Sequence, residues 1–303
     1  MAVDHSNDLL VITCASGKQG SHLLPHLDKK WKRLRLVLNS SSSKERLEKA
    51  HPDADVVRAD MLSAADCSRI LQDASAVVYV GPSFHPREKE CGLAMVDAAV
   101  AEEKKGKFQH FVFSSVCCTQ LRKLLNHDCK RFVDEALMES GLNYTILQPS
   151  HFMDNTPVAM LMQQDDRYFP TGLNPAIKFS YTALRDMAEA TAVVLEQREK
   201  HYFATYPIIS TMPTAESELL AILGDAMGKR IRVEQKPLEE ALAGLFKFLY
   251  GEKDVNPLIL DGAERLLLYY NRRGLYGNPS VLEMLLGRKA TSCEEWARIV
   301  VSK

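Results

Sequence analysis

The sequence predicts an α/β fold, a doubly wound parallel sheet followed by a smaller α/β unit, and three observations carry that expectation. Residues 9–12 form a continuous apolar run, as a strand buried on both faces of a parallel sheet requires. Five further strands are read at 34–38, 55–58, 76–80, 108–114 and 144–147, that at 76–80 also a continuous apolar run, with segments of helical period between them. After residue 155 the alternation loosens. A first unit is therefore expected over 1–155, with 177–197 packing back on it, and a smaller one over 156–303.

The turn after the first run reads Thr13-Cys14-Ala15-Ser16-Gly17-Lys18-Gln19-Gly20. A strand, a glycine-bearing turn and a helix N-terminus together make an anion site. Backbone N–H groups and the positive end of the helix dipole converge there, where a pyrophosphate can sit. Gly17 lets the backbone approach the phosphate, and Gly20 lets the helix pack close to the strand. Thr13, Ser16, Gly17, Lys18, Gln19 and Gly20 are thus the first candidates for holding a dinucleotide on a Rossmann-type sheet. The spacing is that of Gly-x-x-Gly-x-x-Gly with Cys14 in the first place, where a Cβ strains the sharp turn or shifts the loop. A plain βα turn is the competing reading.

The second strand ends in Asn39, a serine run at 40–43, Lys44 and Arg46. An acid at this tip favours NAD through the ribose 2′-hydroxyl, whereas cations accept a 2′-phosphate. With no acid and two cations present, NADP(H) is expected over NAD(H), with Asn39 and Lys44 as contacts; the alternative is a solvated loop. The third strand runs into Asp60 and Met61, expected beside the adenine, although Asp60 could instead cap the helix that begins near Ser63. The fourth ends in Gly81-Pro82-Ser83-Phe84-His85. Ligands of open α/β sheets lie beyond the carboxyl ends of the strands, which assigns Gly81 and Pro82 to the cofactor and Phe84 and His85 to a substrate. A helix over 89–104 follows.

The fifth strand brings Ser114 and Ser115 to the same rim, where serines orient ligands or simply form turns. A helix is expected over 128–140, with Lys130 in its first turn and Phe132, Val133, Ala136 and Leu137 on one face. The sixth strand leads into Gln148-Pro149-Ser150-His151-Phe152-Met153, placing His151 beside the crevice and Phe152 and Met153 as its lining. Short strands at 202–209 and 230–235 and helices at 215–227, 238–250, 263–270 and 281–286 read as the smaller unit.

Composition bounds the function. The formal net charge is −1, so neither nucleic acid nor a membrane surface is expected as a partner. No run of 18 apolar residues exists, and the first residues, MAVDHSND, lack a basic segment followed by an apolar one. A cytoplasmic location is expected, with the nucleus as the alternative. The seven cysteines show no zinc-site spacing, so no metal is expected and reduced thiols are. Vicinal Cys117-Cys118 is either redox-active or a pair of small buried hydrophobes.

Four stretches, 13–20, 126–130, 143–155 and 269–287, together resemble the NmrA-like family of atypical short-chain dehydrogenases. The likeness runs through nearly the whole chain and is most specific in GPSFHPRE, QLRKLLNHDCK, NYTILQPSHFMDN and LLLYYNRRGLYGNP. It is nearest to the family's fungal members, including those found with secondary-metabolite genes. The resemblance implies a Rossmann domain, NADP(H) at the glycine turn and a small C-terminal substrate domain. The family includes redox-sensing regulators, reductases and enzymes of non-redox chemistry. Typical short-chain dehydrogenases use Tyr-x-x-x-Lys, the lysine holding the ribose hydroxyls and lowering the pKa of the tyrosine that protonates the carbonyl. By the resemblance Lys130 takes the lysine's place, while Asn126 stands at the tyrosine position and cannot donate and recover a proton. His127 matches a histidine of the family and titrates near neutral pH, or else caps the helix start. His151, over the expected nicotinamide, is the other acid–base candidate or a structural histidine.

Three functions follow. The first is an NADP(H)-dependent oxidoreductase acting on a small aromatic or polyketide-like secondary metabolite, with Phe84, Phe152 and Met153 as apolar lining and His127, His151 or water as proton source. The second, motivated by Asn126, is an NADP(H)-sensing regulator acting through a protein partner, with Arg272 and Arg273 as a docking surface or as part of helix packing. The third, motivated by Cys14, is an isomerase or dehydratase that does no net redox.

Overall fold

The computed structural model describes residues 2–251 and 254–302. The chain divides into two compact units. One contains Met1–Gln120, His127–Pro149 and Met187–Pro207; the other contains Leu121–Asn126, Ser150–Asp186 and Ile208–Lys303.

The first unit is built from strand–helix repeats: β1 (Leu9–Ile12), α1 (Lys18–Leu27), β2 (Arg33–Leu38), α2 (Ser41–Ala50), β3 (Asp55–Arg58), α3 (Ala64–Leu71), β4 (Ala76–Val80), α4 (Glu88–Glu103), β5 (His110–Ser114), α5 (Leu125–Glu139) and β6 (Tyr144–Pro149). The six strands pair in parallel. From one edge the order is the strand Ala204–Ile208, then β6, β5, β4, β1, β2 and β3. The residues expected as a strand of the smaller unit at 202–209 thus supply a seventh strand of the main sheet, hydrogen-bonded at its start from the Phe203 N–H to the Tyr144 carbonyl. Helices cover both faces, which is why Leu10, Val11 and Ile12 are fully buried and the strands read as unbroken apolar runs. Each such side chain contributes about 1.5–3 kcal/mol by leaving water.

Strand order reverses at β1, whose neighbours are β2 on one side and β4 on the other. A crevice forms at the carboxyl ends of strands where such a reversal occurs. Thr13 fixes its floor: the buried hydroxyl donates to the Val80 carbonyl at 2.9 Å and accepts from the Val80 N–H at 2.8 Å. Helix α5 starts at Leu125, earlier than the expected 128. Asn126 and His127 are therefore inside the helix rather than at its cap, and Lys130 stands in its second turn.

The second unit carries three short ladders: His151–Phe152 parallel with Tyr181–Thr182, Lys178–Phe179 antiparallel with Thr214–Ala215, and Tyr168–Thr171 parallel with Arg232–Gln235. Its helices include Val158–Gln163, Glu216–Ala226, Leu238–Tyr250, Pro257–Arg273, Ser280–Leu286 and Cys293–Val301. The helix expected at 263–270 is twice as long because Asn256 caps its start, accepting from the Leu258 N–H, with Pro257 behind it and Gly274 past its end at φ +64°. The Cys293–Val301 helix was not foreseen; Ser292, accepting from the Glu295 N–H, is its signal. The fully buried Asp186 gathers the unit's loops, accepting from Ser210 Oγ, Arg288, the Thr291 N–H and Thr291 Oγ1. Among the described residues no helix is long and apolar enough to cross a membrane.

Candidate functional site

The turn between β1 and α1 departs from the strand through Cys14 at φ +49°, the left-handed conformation that glycine adopts without cost. The Ala15 N–H then bonds the Val37 carbonyl at 3.0 Å, and the Gly17 N–H returns to the Cys14 carbonyl at 2.9 Å. A Cβ on Gly20 would stand 2.3 Å from the Ala15 carbonyl oxygen, so only glycine lets α1 lie this close to the turn. Gly17 is the extended N-cap of α1 and offers no side-chain cap, which leaves the helix opening to an incoming anion. Ser114, at the end of β5, donates its hydroxyl to Gln19 Oε1 at 2.8 Å and sets that side chain over the crevice floor. Thr13 serves the framework and not the ligand, since its side chain is wholly enclosed.

At the tip of β2 the expected contacts are rearranged. Lys44 pairs along its own helix with Glu48 at 3.5 Å. Arg46 instead donates to the Ser16 carbonyl at 3.3 Å, which ties a guanidinium to the glycine turn. The Asn39 carbonyl accepts from Arg58 Nε at 2.9 Å. Asp60 is exposed and accepts from the Leu62 N–H, while Ser63 caps α3, so Asp60 is not the cap. Met61 is buried.

Past β4, a turn closes from the His85 N–H to the Pro82 carbonyl, with Phe84 at φ +59°. His85 Nδ1 accepts from the Arg87 N–H at 3.1 Å. This turn delivers Glu88, the first residue of α4, back towards Gly81, where a Cβ would lie 3.6 Å from Glu88 Oε1 and 3.5 Å from the Tyr79 hydroxyl. The Lys130 ammonium donates to Glu88 Oε1, and both side chains are almost enclosed. Asp134, one turn beyond Lys130, is 4% exposed. Burial pushes its carboxyl up to about 6, against the hydroxyls of Ser115 and Thr119 and the amide of Gln148, which favour the charged form. Burial likewise pulls Lys130 down to about 8, against the attraction of Asp134. The Tyr79 hydroxyl is buried beside them without a hydrogen-bond partner, and burial raises its pKa well above the usual value.

A lysine and an acid brought towards neutrality side by side make this a candidate site. Sequence reasoning found Lys130 but missed Glu88 and Asp134. Asp134 is spaced four residues from Lys130, which ordinarily reads as an exposed helix pair, and nothing local shows Glu88 folding back.

The structure encloses His127, against the expectation of a group titrating near neutral pH. His127 is fully buried, its Nδ1 donates to the Cys117 carbonyl at 2.9 Å, and burial lowers its pKa to about 4. A neutral, enclosed imidazole is no proton donor near pH 7. Cys117 is buried and Cys118 half-buried at φ +61°, with the Cys117 thiol lowering Cys118 to about 7. In the second unit His151 is half-buried, its ring 5.8 Å from those of both Phe179 and Tyr181. Phe152 is half-buried beside it in sequence, whereas Met153 is fully buried and packs the core rather than facing a substrate. Among the described residues no cluster of His, Cys, Asp and Glu has the arrangement of a metal site.

Comparison with known proteins gives three kinds of likeness. The family model described as NmrA-like family matches residues 6–261. The NAD(P)H azoreductase of Xenophilus azovorans is 26% identical over 172 residues, covering 54% of this chain and 56% of that enzyme, so the match spans little more than half of the relative. The triphenylmethane reductase of Citrobacter sp., solved with NADP(H), superposes with a TM-score of 0.76 at 17% identity, over 96% of this chain and 99% of that one. NmrA, a negative transcriptional regulator solved with NADP, does so with a TM-score of 0.74 at 14% identity, over 98% and 96%. At such identities the superpositions establish the fold.

Proposed function

The chain belongs to the NmrA-like family, and on that premise we propose that it binds NADP(H) at the β1–α1 turn and reduces a small conjugated aromatic molecule. The observation that carries this reading is Lys130, hydrogen-bonded to Glu88 and one turn before Asp134 on α5, in the same unit as the glycine turn. Gly17 and the opening of α1 would take the pyrophosphate, Arg46 a 2′-phosphate, and Lys130 the nicotinamide ribose hydroxyls. When bound, the dinucleotide supplies a hydride; the remaining work falls to the chain.

The substrate class follows from what the chain lacks. Reducing an isolated ketone leaves an alkoxide that needs a proton from a positioned acid. Here Asn126 stands where the tyrosine would and His127 is enclosed and neutral. A cationic or extended conjugated acceptor spreads the added electron pair, so water suffices as the proton source. The azoreductase and the triphenylmethane reductase, named for such acceptors, point the same way. We propose a polyketide-like quinone or enone as this substrate, on the resemblance of the GPSFHPRE and LLLYYNRRGLYGNP segments to family members found with secondary-metabolite genes.

The second reading is a sensor that binds NADP(H) and signals through a protein partner, favoured by Asn126 and by the likeness to NmrA. Turnover separates the two. Stopped-flow oxidation of NADPH by menadione and by a cationic triphenylmethane dye should be catalysed by the wild type and lost in Lys130→Met. Tight NADPH binding by calorimetry with no oxidation of cofactor by any conjugated acceptor would set the enzyme reading aside in favour of the sensor.

A further inference from the structure

A basic groove of about 350 Å³ lies on the second unit, lined by Lys123, Arg265, Leu268, Tyr269, Arg272 and Arg273. Residues 265, 269, 272 and 273 fall along one stripe of the helix Pro257–Arg273. Lys123 joins them from the segment 121–126 of the same unit, its ammonium 5.8 Å from the centre of the Tyr269 ring. That segment is anchored: Leu124 is fully buried, and Leu125 Cβ lies at ordinary packing distance from Gly262.

The charge is poorly compensated. Arg265 shares Asp261 at 2.7 Å, but among the described residues no carboxylate pairs with Lys123, Arg272 or Arg273. The favourable position of cations at a helix C-terminus accounts for Arg272 and Arg273 only. It does not account for Lys123 or Arg265, nor for Leu268 left 43% exposed among the charges. Three arginines span about 12 Å of helix, Arg265 paired with Asp261, and Lys123 beside Tyr269 adds a further cation, so Arg272, Arg273 and Lys123 repel one another until an anion arrives. The chain as a whole is near neutral, so this is local design and not a general basic surface.

We propose that this groove docks an extended acidic peptide segment of a protein partner. The spacing selects that occupant. The 265–273 stripe runs about 12 Å along the helix, longer than one phosphate, and an extended chain advancing about 3.3 Å per residue spans it with about four residues. Carboxylates on such a chain pair with Arg272, Arg273 and Lys123, while an interleaved apolar or aromatic residue rests on Tyr269 and Leu268. Arg is the residue suited to bidentate carboxylate capture, and Tyr to rigid apolar contact. Nucleic acid, which would also find cations and one ring, needs a longer basic track than a chain of net charge −1 offers here.

The test is fluorescence anisotropy on the full-length protein, with a labelled peptide of alternating glutamate and leucine and one central phenylalanine. Binding is expected at low salt and should weaken at least about tenfold in Arg272→Glu/Arg273→Glu and in Lys123→Glu. A charge-matched control on the same unit, Arg230→Glu, should change affinity by less than about twofold. Thermal melts and NADPH titrations of each variant establish that the fold is intact. No peptide binding at low salt overturns the proposal. So does an equal loss in Arg230→Glu, which would mean a net-charge effect. Competition by tripolyphosphate or oligothymidylate at concentrations equal to the peptide's likewise assigns the groove to phosphates and overturns it.

Discussion

Lys130 and Asp134 stand one turn apart on α5, and burial drives their proton affinities towards each other, the lysine down to about 8 and the aspartate up to about 6. In water the two groups titrate more than six units apart. The narrowing is a property of the crevice, and it gives the protein a pH signature that can be measured without any substrate.

Asp134 sets the first expectation. Burial raises its folded pKa to about 6, above the ordinary aspartate value of about 3.9, so the fold favours the protonated form. The stability contributed by that preference is fully present below about 3.8 and is lost as pH rises through about 6. Above that range the charged carboxyl costs on the order of 1–3 kcal/mol. Asp134→Asn should therefore gain stability relative to wild type by about that amount between pH 4 and pH 7. Urea unfolding at both pH values measures it; a difference that does not change with pH would mean that Asp134 is already ionised at pH 4.

The Glu88–Lys130 pair gives the second. Removing one member of an enclosed ion pair leaves an uncompensated charge, at a cost of about 3–5 kcal/mol, whereas removing both is much milder. Glu88→Gln and Lys130→Met should each lower stability, and the double variant should be more stable than their sum by about 1–3 kcal/mol. The single and double variants, unfolded under one set of conditions, form the cycle. Additive losses would mean that the two side chains are solvated separately in solution.

Cys14 gives the third. A residue with a Cβ held at φ +49° costs about 1 kcal/mol relative to glycine, but replacing cysteine also removes a thiol that is largely enclosed, with its pKa raised to about 11 by burial. Comparing Cys14→Gly with Cys14→Ala cancels most of the lost packing. The glycine variant should be the more stable by about 1 kcal/mol, read as a difference in urea midpoint. An alanine variant of equal stability would show that the turn relaxes out of the left-handed region. The same pair decides the non-redox reading: if glycine at 14 improves NADPH affinity no more than alanine does, the cysteine is simply tolerated at the phosphate turn.

These residues also show what a sequence can disclose. The six parallel strands and the placement of the glycine turn were legible because burial on both faces writes unbroken apolar runs, and because Gly20 answers to a contact that any Cβ would break. The strand at 202–209 was legible but its place was not, since a short half-apolar run does not say which sheet it joins and only pairing beside β6 does. Lys130 was singled out through the family resemblance, which sets it at the lysine position four residues after Asn126. Glu88 was not, because its return to Lys130 depends on the Phe84 turn, a long-range consequence of φ +59° at a residue that gives no local signal for it. His127 shows the opposite failure: its residue type suggested titration near neutrality, and enclosure behind Cys117 removed it.

Arg46 supplies the last expectation, and the one on which cofactor choice turns. The guanidinium reaches the Ser16 carbonyl at 3.3 Å, so it is the cation joined to the turn, whereas Lys44 is engaged with Glu48. A 2′-phosphate distinguishes NADPH from NADH, and a guanidinium takes phosphate by two parallel hydrogen bonds that an ammonium cannot match. Arg46→Ala should weaken NADPH by at least about tenfold, roughly 1.4 kcal/mol, and leave NADH almost unchanged; Lys44→Ala should have a far smaller effect on either. Raising the salt concentration should narrow the wild-type preference, because the contact is exposed and therefore screened. Calorimetric titration of both cofactors into the three proteins is sufficient. Equal losses for NADPH and NADH in Arg46→Ala would mean that the arginine merely braces the Ser16 turn, and discrimination would then have to come from Asn39 and the serines at 40–43.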